Sequence, residues 1–322
     1  MRAALYDRYG ASEEVLRVQD VARPEPGPGE VRIKIEYSGV NPTDWKSRGG
    51  STPRPIDGFQ IPHHDGAGVI DAVGDGVDQA RVGQRVWTWL AASGRPWGTA
   101  AEWSVVPQAQ AVPLPDGISA ELGASLGVPA MTAHRCLFAD GPVEGKTVLV
   151  AGGAGAVGHY AIELAKYAGA RVISTVSGPE KADLAARAGA DLVVNYREPS
   201  ASEQISSFGP VDRVIEVALG ANLALDLAVL NPGGQVVTYA AEAADPVLTV
   251  RACMNANVVL RFVLLYGVPA AAMNRAASDI TAALASGSLS ELPVTRFGLD
   301  DIARAHDAVE SGAVGKVLLS LG

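Results

Sequence analysis

Cysteine is scarce in this chain. Only Cys136 and Cys253 occur, far apart and outside any Cys-x-x-Cys pattern. That excludes a disulfide framework and a four-cysteine structural zinc site, and it suits a reducing compartment. Long apolar runs are lacking too. The most apolar late segment, 258–273, is broken by Arg261, Gly267 and Pro269, so no membrane span is expected. The opening segment, Met1 to Asp7, has no uninterrupted apolar core of the kind a secretory signal needs, and a cytoplasmic location is expected. Positive charge is in deficit, with 26 Lys and Arg against 35 Asp and Glu and a net charge of −9. That argues against nucleic acid or anionic membrane as the main partner. Small anions stay open, because a local basic pocket can coexist with an acidic surface. No Gly-x-Ser-x-Gly elbow exists, so Ser-His-Asp hydrolysis has no support.

What the chain does have is centred on residues 146–158. A short apolar run, Val148 to Ala151, ends in glycines, and Val157, Ala161, Leu164 and Ala165 follow at helical spacing. Within this stretch Gly153, Gly155 and Gly158 match the spacing of the dinucleotide-binding turn. The first glycine makes the turn, the second admits a pyrophosphate, and the third lets helix and strand pack closely. The helix N-terminus then faces the phosphates. Glycine is common here, 36 residues in all, so the spacing alone is weak. The context strengthens it, because a second apolar run, 171–176, follows where a second parallel strand belongs.

Strands are expected at 148–151, 171–176, 192–195, 211–217 and 234–239, with helices at 156–168, 179–188 and 222–230 between them. This alternation predicts a doubly wound parallel sheet. The N-terminal third differs. From Glu30 to Tyr37, Val31, Ile33, Ile35 and Tyr37 face one way and Arg32, Lys34 and Glu36 the other, a half-buried strand. Short strands punctuated by Gly and Pro continue to about Val106, as in a β-rich barrel. Glu121 to Phe138 reads as one or two helices. After about Val263 come a helix (269–286), a strand near Val294, a helix (299–311) and a last strand, Lys316 to Leu321. This tail is placed to return to the N-terminal part, giving a discontinuous domain, 1–119 with 264–322, around an inserted dinucleotide-binding domain, 120–263.

The order of these features resembles the medium-chain dehydrogenase/reductase superfamily over essentially the whole chain. The carriers are Pro26-Gly27-Pro28-Gly29-Glu30 before a strand, Gly39-Val40-Asn41-Pro42-Thr43-Asp44, the segment His63-His64-Asp65-Gly66, and the glycine turn. Within the family the chain is most similar to the zinc-free quinone oxidoreductase (zeta-crystallin-like) branch, whose Asn and Asn-Tyr-Arg segment are matched by Asn41 and by Asn195-Tyr196-Arg197. The resemblance implies a GroES-like catalytic domain with a Rossmann insertion. It departs where many members carry a Tyr, because Lys46 stands there. Asp44-Trp45-Lys46 instead resembles the trans-acting enoyl reductases of polyketide assembly.

A catalytic zinc site needs three protein ligands, typically Cys or His with a carboxylate. Val40-Asn41 fills the region of the expected cysteine, and His64-Asp65 is left as a structural or pocket-lining remnant, so no metal is expected. The expected cofactor is NADPH. An NAD enzyme ends its second strand with a carboxylate for the ribose 2′-OH, whereas this chain has Thr175-Val176-Ser177-Gly178. By resemblance Ser177, Lys181 and Tyr196 hold the 2′-phosphate, and cations and hydroxyls suit a dianion. Gly153, Ala154, Gly155, Ala156, Val157 and Gly158 are the expected pyrophosphate cradle. Val217 and Tyr239, which close the expected strands 211–217 and 234–239, are also included among the cofactor positions. Thr132 resembles the family's helix residue over the cofactor. Asn41 suits a carboxamide or ribose contact, and equally a turn before Pro42. Lys46 suits an oxyanion or proton-donor role, and equally a surface lysine. Trp45, Trp87, Trp89, Trp97 and Trp103 crowd the N-terminal third, where one or two could wall a pocket for a flat conjugated substrate.

The expected activity is hydride transfer from NADPH to a quinone or to the C=C of an α,β-unsaturated carbonyl. The alternatives are an alcohol or ketone dehydrogenase of the same superfamily, and a non-catalytic NADPH-binding protein. A homodimer is expected, from the resemblance and from the apolar run 258–266 at the edge of the cofactor sheet.

Overall fold

Alternation of valine and isoleucine makes Glu30–Val40 the spine of the first of two units. The computed structural model describes residues 1–53, 55–241 and 244–321. The chain divides into Met1–Val128 with Glu291–Gly322, and Pro129–Ser290. In the first unit Val31, Ile33 and Ile35 are sealed against Ile70, Val86 and Val106. Among the described residues seven strands form the sheet. Six run in the order Val294–Gly298, Lys316–Ser320, Glu30–Val40, Asp65–Val73, Arg85–Thr88 and Ala111–Pro113, and Trp103–Pro107 pairs along Glu30–Val40. The tail strand Lys316–Ser320 runs antiparallel to Glu30–Val40, with Val317 opposite Val40. That register sets Lys316 beside Asn41. One residue departs from the alternation: Arg32, assigned to the solvent side, is only 5% exposed. Its Nε donates to Asp71 Oδ1 at 2.8 Å and its Nη1 to the Pro24 carbonyl at 3.1 Å. A cation paired and hydrogen-bonded in this way can stay out of water.

The second unit is built on parallel strands in the order Leu192–Asn195, Arg171–Val176, Thr147–Ala151, Val211–Glu216, Leu230–Thr238 and Val259–Phe262. This is the 3-2-1-4-5-6 order of the doubly wound dinucleotide fold, as expected. Buried on both faces, Thr147–Ala151 is apolar from Val148 to Ala151, which is why its pattern is a run and not an alternation. Helices Ala156–Tyr167, Pro179–Arg187 and Leu219–Val229 cover the sheet. Glu121 to Phe138 belongs to one helix, Ala120–Phe138, despite Pro129 inside it. The fifth strand starts four residues earlier than expected, through Pro232 and Gly233, where a register shift against Val211–Glu216 absorbs the irregular residues. Two further helices, Ala201–Phe208 and Val250–Ala256, had no clear pattern in the sequence. The first fully buries only Ala201 and Ile205, and the second fully buries none of its residues, so each offers few apolar positions from which to read a pattern. Among the described residues no helix is long and apolar enough to cross a membrane.

Candidate active site

Thr147–Ala151 passes into the glycine turn, and helix Ala156–Tyr167 starts with Gly155 at its N-cap. Gly155 has no side chain to cap the first helical N–H groups, and it is exposed. Those donors and the positive end of the helix dipole are therefore open to an anion. Gly158 is packed against the turn so closely that a Cβ there would strike the Gly152 carbonyl. The geometry is a phosphate cradle: open at Gly155, tightly closed at Gly158.

Ser177 and Tyr196 come together at the neighbouring strand ends. Ser177 follows Arg171–Val176 directly, and the Tyr196 N–H donates to the Val176 carbonyl at 3.1 Å. Lys181 lies early in helix Pro179–Arg187 and forms no ion pair among the described residues. Tyr196 is 45% exposed, with the Arg197 guanidinium 5.9 Å from its ring centre. Ser177 and Tyr196 thus stand at the end of the second strand where an NAD enzyme places a carboxylate, and Lys181 follows in the first turn of the next helix.

Val217 and Tyr239 lie just past the ends of Val211–Glu216 and Leu230–Thr238, and the Tyr239 N–H donates to the Glu216 carbonyl at 3.3 Å. Glu216 organises this corner. Its fully buried Oε1 accepts from the Val217 N–H at 2.7 Å, the Ala218 N–H, and Asn222 Nδ2 at 3.0 Å. Burial raises its carboxyl above the ordinary range, and those donors oppose the rise. Asp226, 1% exposed on the following helix, is pushed up to about 8 by burial first and by the Glu216 charge second. At neutral pH the Asp226 carboxyl therefore keeps its proton. Thr132 is buried within Ala120–Phe138, shortly after Pro129.

In the first unit Asn41 is the N-cap of helix Pro42–Arg48, and its N–H donates to Asp44 Oδ2 at 2.7 Å. Its carboxamide is engaged at both ends. Nδ2 donates to Asp65 Oδ2 at 2.7 Å, and Oδ1 accepts from Lys316 Nζ at 2.7 Å. Lys316 Nζ also reaches Asp65 Oδ2 at 3.2 Å, and the Val128 N–H reaches Asp65 Oδ1 at 2.7 Å. All three side chains are buried. Gly127 makes room for the cluster, because a Cβ there would collide with the Asp65 carboxylate. Burial raises the Asp65 carboxyl, opposed by Lys316, Asn41 and Val128. Lys46 is elsewhere on the helix, half-buried, its Nζ 5.8 Å from the Trp45 ring centre.

Sequence reasoning missed Lys316 altogether. Its one local sign is a lysine after Gly315 that opens an otherwise apolar strand. It also missed a buried chain beside Asp65. His63 Nδ1 contacts Ser38 Oγ at 2.8 Å, Ser38 Oγ contacts Thr99 Oγ1 at 2.7 Å, and Thr99 Oγ1 donates to the Asp65 carbonyl at 2.5 Å. His63 Nε2 meets His306 Nε2 at 3.0 Å. Burial pushes both imidazoles down, His306 to about 3, so both are neutral and one Nε2 carries the hydrogen. This brace holds His63 at a φ of 76°, a costly conformation for a non-glycine residue. Trp87 and Trp89 are buried, and Trp103 Nε1 donates to Asp71 Oδ2 at 2.8 Å, so those rings serve the barrel. Among the described residues no group of three or more His, Cys, Asp or Glu converges on a point.

A split β-rich unit around a doubly wound sheet with an open glycine turn is the architecture of the medium-chain dehydrogenases and reductases. Residues 27–116 match the family model described as alcohol dehydrogenase GroES-like domain, and 156–282 the one described as zinc-binding dehydrogenase. The chain belongs to the quinone oxidoreductase branch of that superfamily. It is 30% identical to the human quinone oxidoreductase over 327 residues, covering 100% of this chain and 98% of the relative. A mycobacterial protein solved in complex with NADPH is 31% identical, with a TM-score of 0.86 and 100% of both chains covered. A solved NAD-dependent alcohol dehydrogenase is 26% identical, also over 100% of both chains, with a TM-score of 0.90.

Proposed function

We propose that the protein is an NADPH-dependent, zinc-free oxidoreductase that reduces quinones or the C=C of α,β-unsaturated carbonyls. The observation that carries this reading is the end of the second parallel strand, where Ser177, Lys181 and Tyr196 replace a carboxylate. The NADPH complex of the mycobacterial relative and the quinone oxidoreductase names of the curated relatives support it. Residues 153–158 are proposed to cradle the pyrophosphate, and Val217, Tyr239 and Thr132 to line the nicotinamide half; the Asn41 carboxamide, expected to contact the cofactor, is instead engaged at both ends by Asp65 and Lys316. Bound NADPH supplies the hydride. The protein's own part is to orient the acceptor and to meet the negative charge that develops on its oxygen, with Lys46 as the proposed donor. Oxidation of a simple alcohol asks more, because a metal or base must take the hydroxyl proton, and the zinc cysteine is absent. The likeness to an alcohol dehydrogenase fold makes alcohol or ketone chemistry the second reading.

One assay separates the readings. NADPH consumption is followed with 1,4-benzoquinone, 9,10-phenanthrenequinone, 2-alkenals and simple ketones, with and without a strong chelator. Quinones or enones are expected to turn over faster than ketones, with no effect of chelator. Faster ketone reduction, or zinc-restored activity after chelation, would reverse the assignment, and no turnover at all would point to a binding protein. Lys181→Ala is expected to weaken NADPH about tenfold, from the worth of one charge-assisted contact, and to leave NADH unchanged.

We further propose a homodimer formed along Val259–Phe262. This strand is last in the sheet order, and Val259, Phe262 and Leu264 are 46%, 67% and 69% exposed. An apolar open edge needs covering, and a second copy can continue the sheet. Light scattering is expected to give twice the chain mass, and Phe262→Lys to shift it towards the monomer. A monomeric wild type at micromolar concentration would reject the proposal.

A further inference from the structure

The second unit holds a cavity of about 630 Å³ that the proposed chemistry does not use. It lies among the end of helix Ala120–Phe138, the last turn of Ala156–Tyr167 and helix Ala270–Ala285. The glycine turn sits at the opposite end of Ala156–Tyr167, roughly 15 Å away at helical rise. Phe138, Pro142, Leu164 and Tyr167 form an apolar wall. The polar side carries His134, Arg135, Arg275 and Asp279. Asp279 is already committed: its Oδ2 lies 2.9 Å from His134 Nε2 and 3.7 Å from Arg275 Nε. Burial holds His134 below its ordinary value despite Asp279, so it adds no charge. Arg135 is different. It forms no ion pair among the described residues, and its Nε is sealed from solvent without a hydrogen-bonding partner.

The lining therefore sets two guanidiniums against one carboxylate, next to an apolar wall. Arg135 has no carboxylate partner among the described residues, and arginine binds an incoming carboxylate through two parallel donors. The volume falls within the range of small-molecule sites. We propose that this cavity is a second binding site, for an amphipathic monocarboxylate of the fatty-acid class, with the head on Arg135 and the chain along Phe138 and Leu164.

The test is calorimetric titration of the full chain with dodecanoate below its micellar range. One equivalent per chain is expected to bind. Arg135→Gln is expected to weaken it about tenfold or more, as loss of a charge-assisted contact does. Dodecanol, which lacks the charge, is expected to bind at least about tenfold more weakly than dodecanoate. Lys181→Ala is expected to leave dodecanoate affinity unchanged, which separates this site from the proposed phosphate site. Should Arg135→Gln not fold, judged by circular dichroism, Ala272→Trp provides the second variant: it fills the cavity and should abolish binding. Absence of binding in the wild type, equal affinity for dodecanol, or indifference to whichever of the two variants folds would overturn the proposal.

Discussion

Replacing Lys316 with methionine is expected to cost about 3–5 kcal/mol of stability, the usual penalty for breaking a buried ion pair from one side. Lys316 is 2% exposed and Asp65 fully buried. Methionine keeps much of the aliphatic stem, so the loss is one of charge more than of packing. Asp65 would retain the Val128 N–H and Asn41 Nδ2, but no cation. Burial already raises its carboxyl against the pull of Lys316, and without that pull the carboxyl moves higher still. The native variant then binds a proton that the unfolded chain does not, so its stability falls as pH rises above the ordinary carboxyl value. The gap to wild type is expected to be smallest in acid and to widen towards neutrality. Adding Asp65→Asn removes the orphaned charge and is expected to recover much of the loss, a coupling that a double-mutant cycle measures. All five tryptophans fall between residues 45 and 103, so their fluorescence in a denaturant titration reports on the first unit. A single-variant cost under about 1 kcal/mol, or no recovery in the double variant, would contradict a buried pair of this strength.

The two halves of this molecule were unequally legible in its sequence. The doubly wound sheet was legible because its evidence is local. Strands sealed on both faces appear as apolar runs, as in 171–176, and the glycine spacing needs no distant partner. The helix Val250–Ala256 left no trace because none of its residues is fully buried and only Cys253 packs partly against the apolar core. The polar clusters were illegible for another reason. Lys316 meets Asn41 across 275 positions, and His63 meets His306 across 243. Periodicity carries no information at such separations. Asn41 and Asp65 were both noticed on local grounds, yet what holds them depends on the tail strand's register, with Val317 opposite Val40. Glu216 and Asp226 were concealed differently. Each occupies a position that looks ordinary for its element, a strand end and a helix, and only the three-dimensional turn between them buries both carboxyls together.

That pair carries the last prediction: Asp226→Asn should make the protein more stable at mildly alkaline pH. Asp226 is held at about 8 in the folded chain against an ordinary value of 3.8, by burial first and by Glu216 second. Between those values the folded state keeps a proton that the unfolded state has released. Stability therefore declines as pH rises from about 4 to about 8, and the Asp226 contribution is flat beyond. Asparagine keeps an N–H donor towards Glu216 and has nothing to titrate. Each unit of displacement is worth about 1.4 kcal/mol, so even half the shift amounts to about 2–3 kcal/mol near pH 8.5. For a domain of this size that is a rise of about 4–10 °C in the unfolding midpoint. In acid, near pH 4, the two proteins should unfold alike. The same titration reaches the proposed cofactor site, because Glu216 pins the Val217 and Ala218 N–H groups. Wild-type affinity for NADPH is expected to fall above about pH 8 while that of Asp226→Asn holds. Thermal unfolding at about pH 4, 6 and 8.5, with NADPH titrations at the two higher values, checks both halves. A variant no more stable than wild type at about pH 8.5 would mean that the folded chain does not hold the Asp226 proton above its ordinary range.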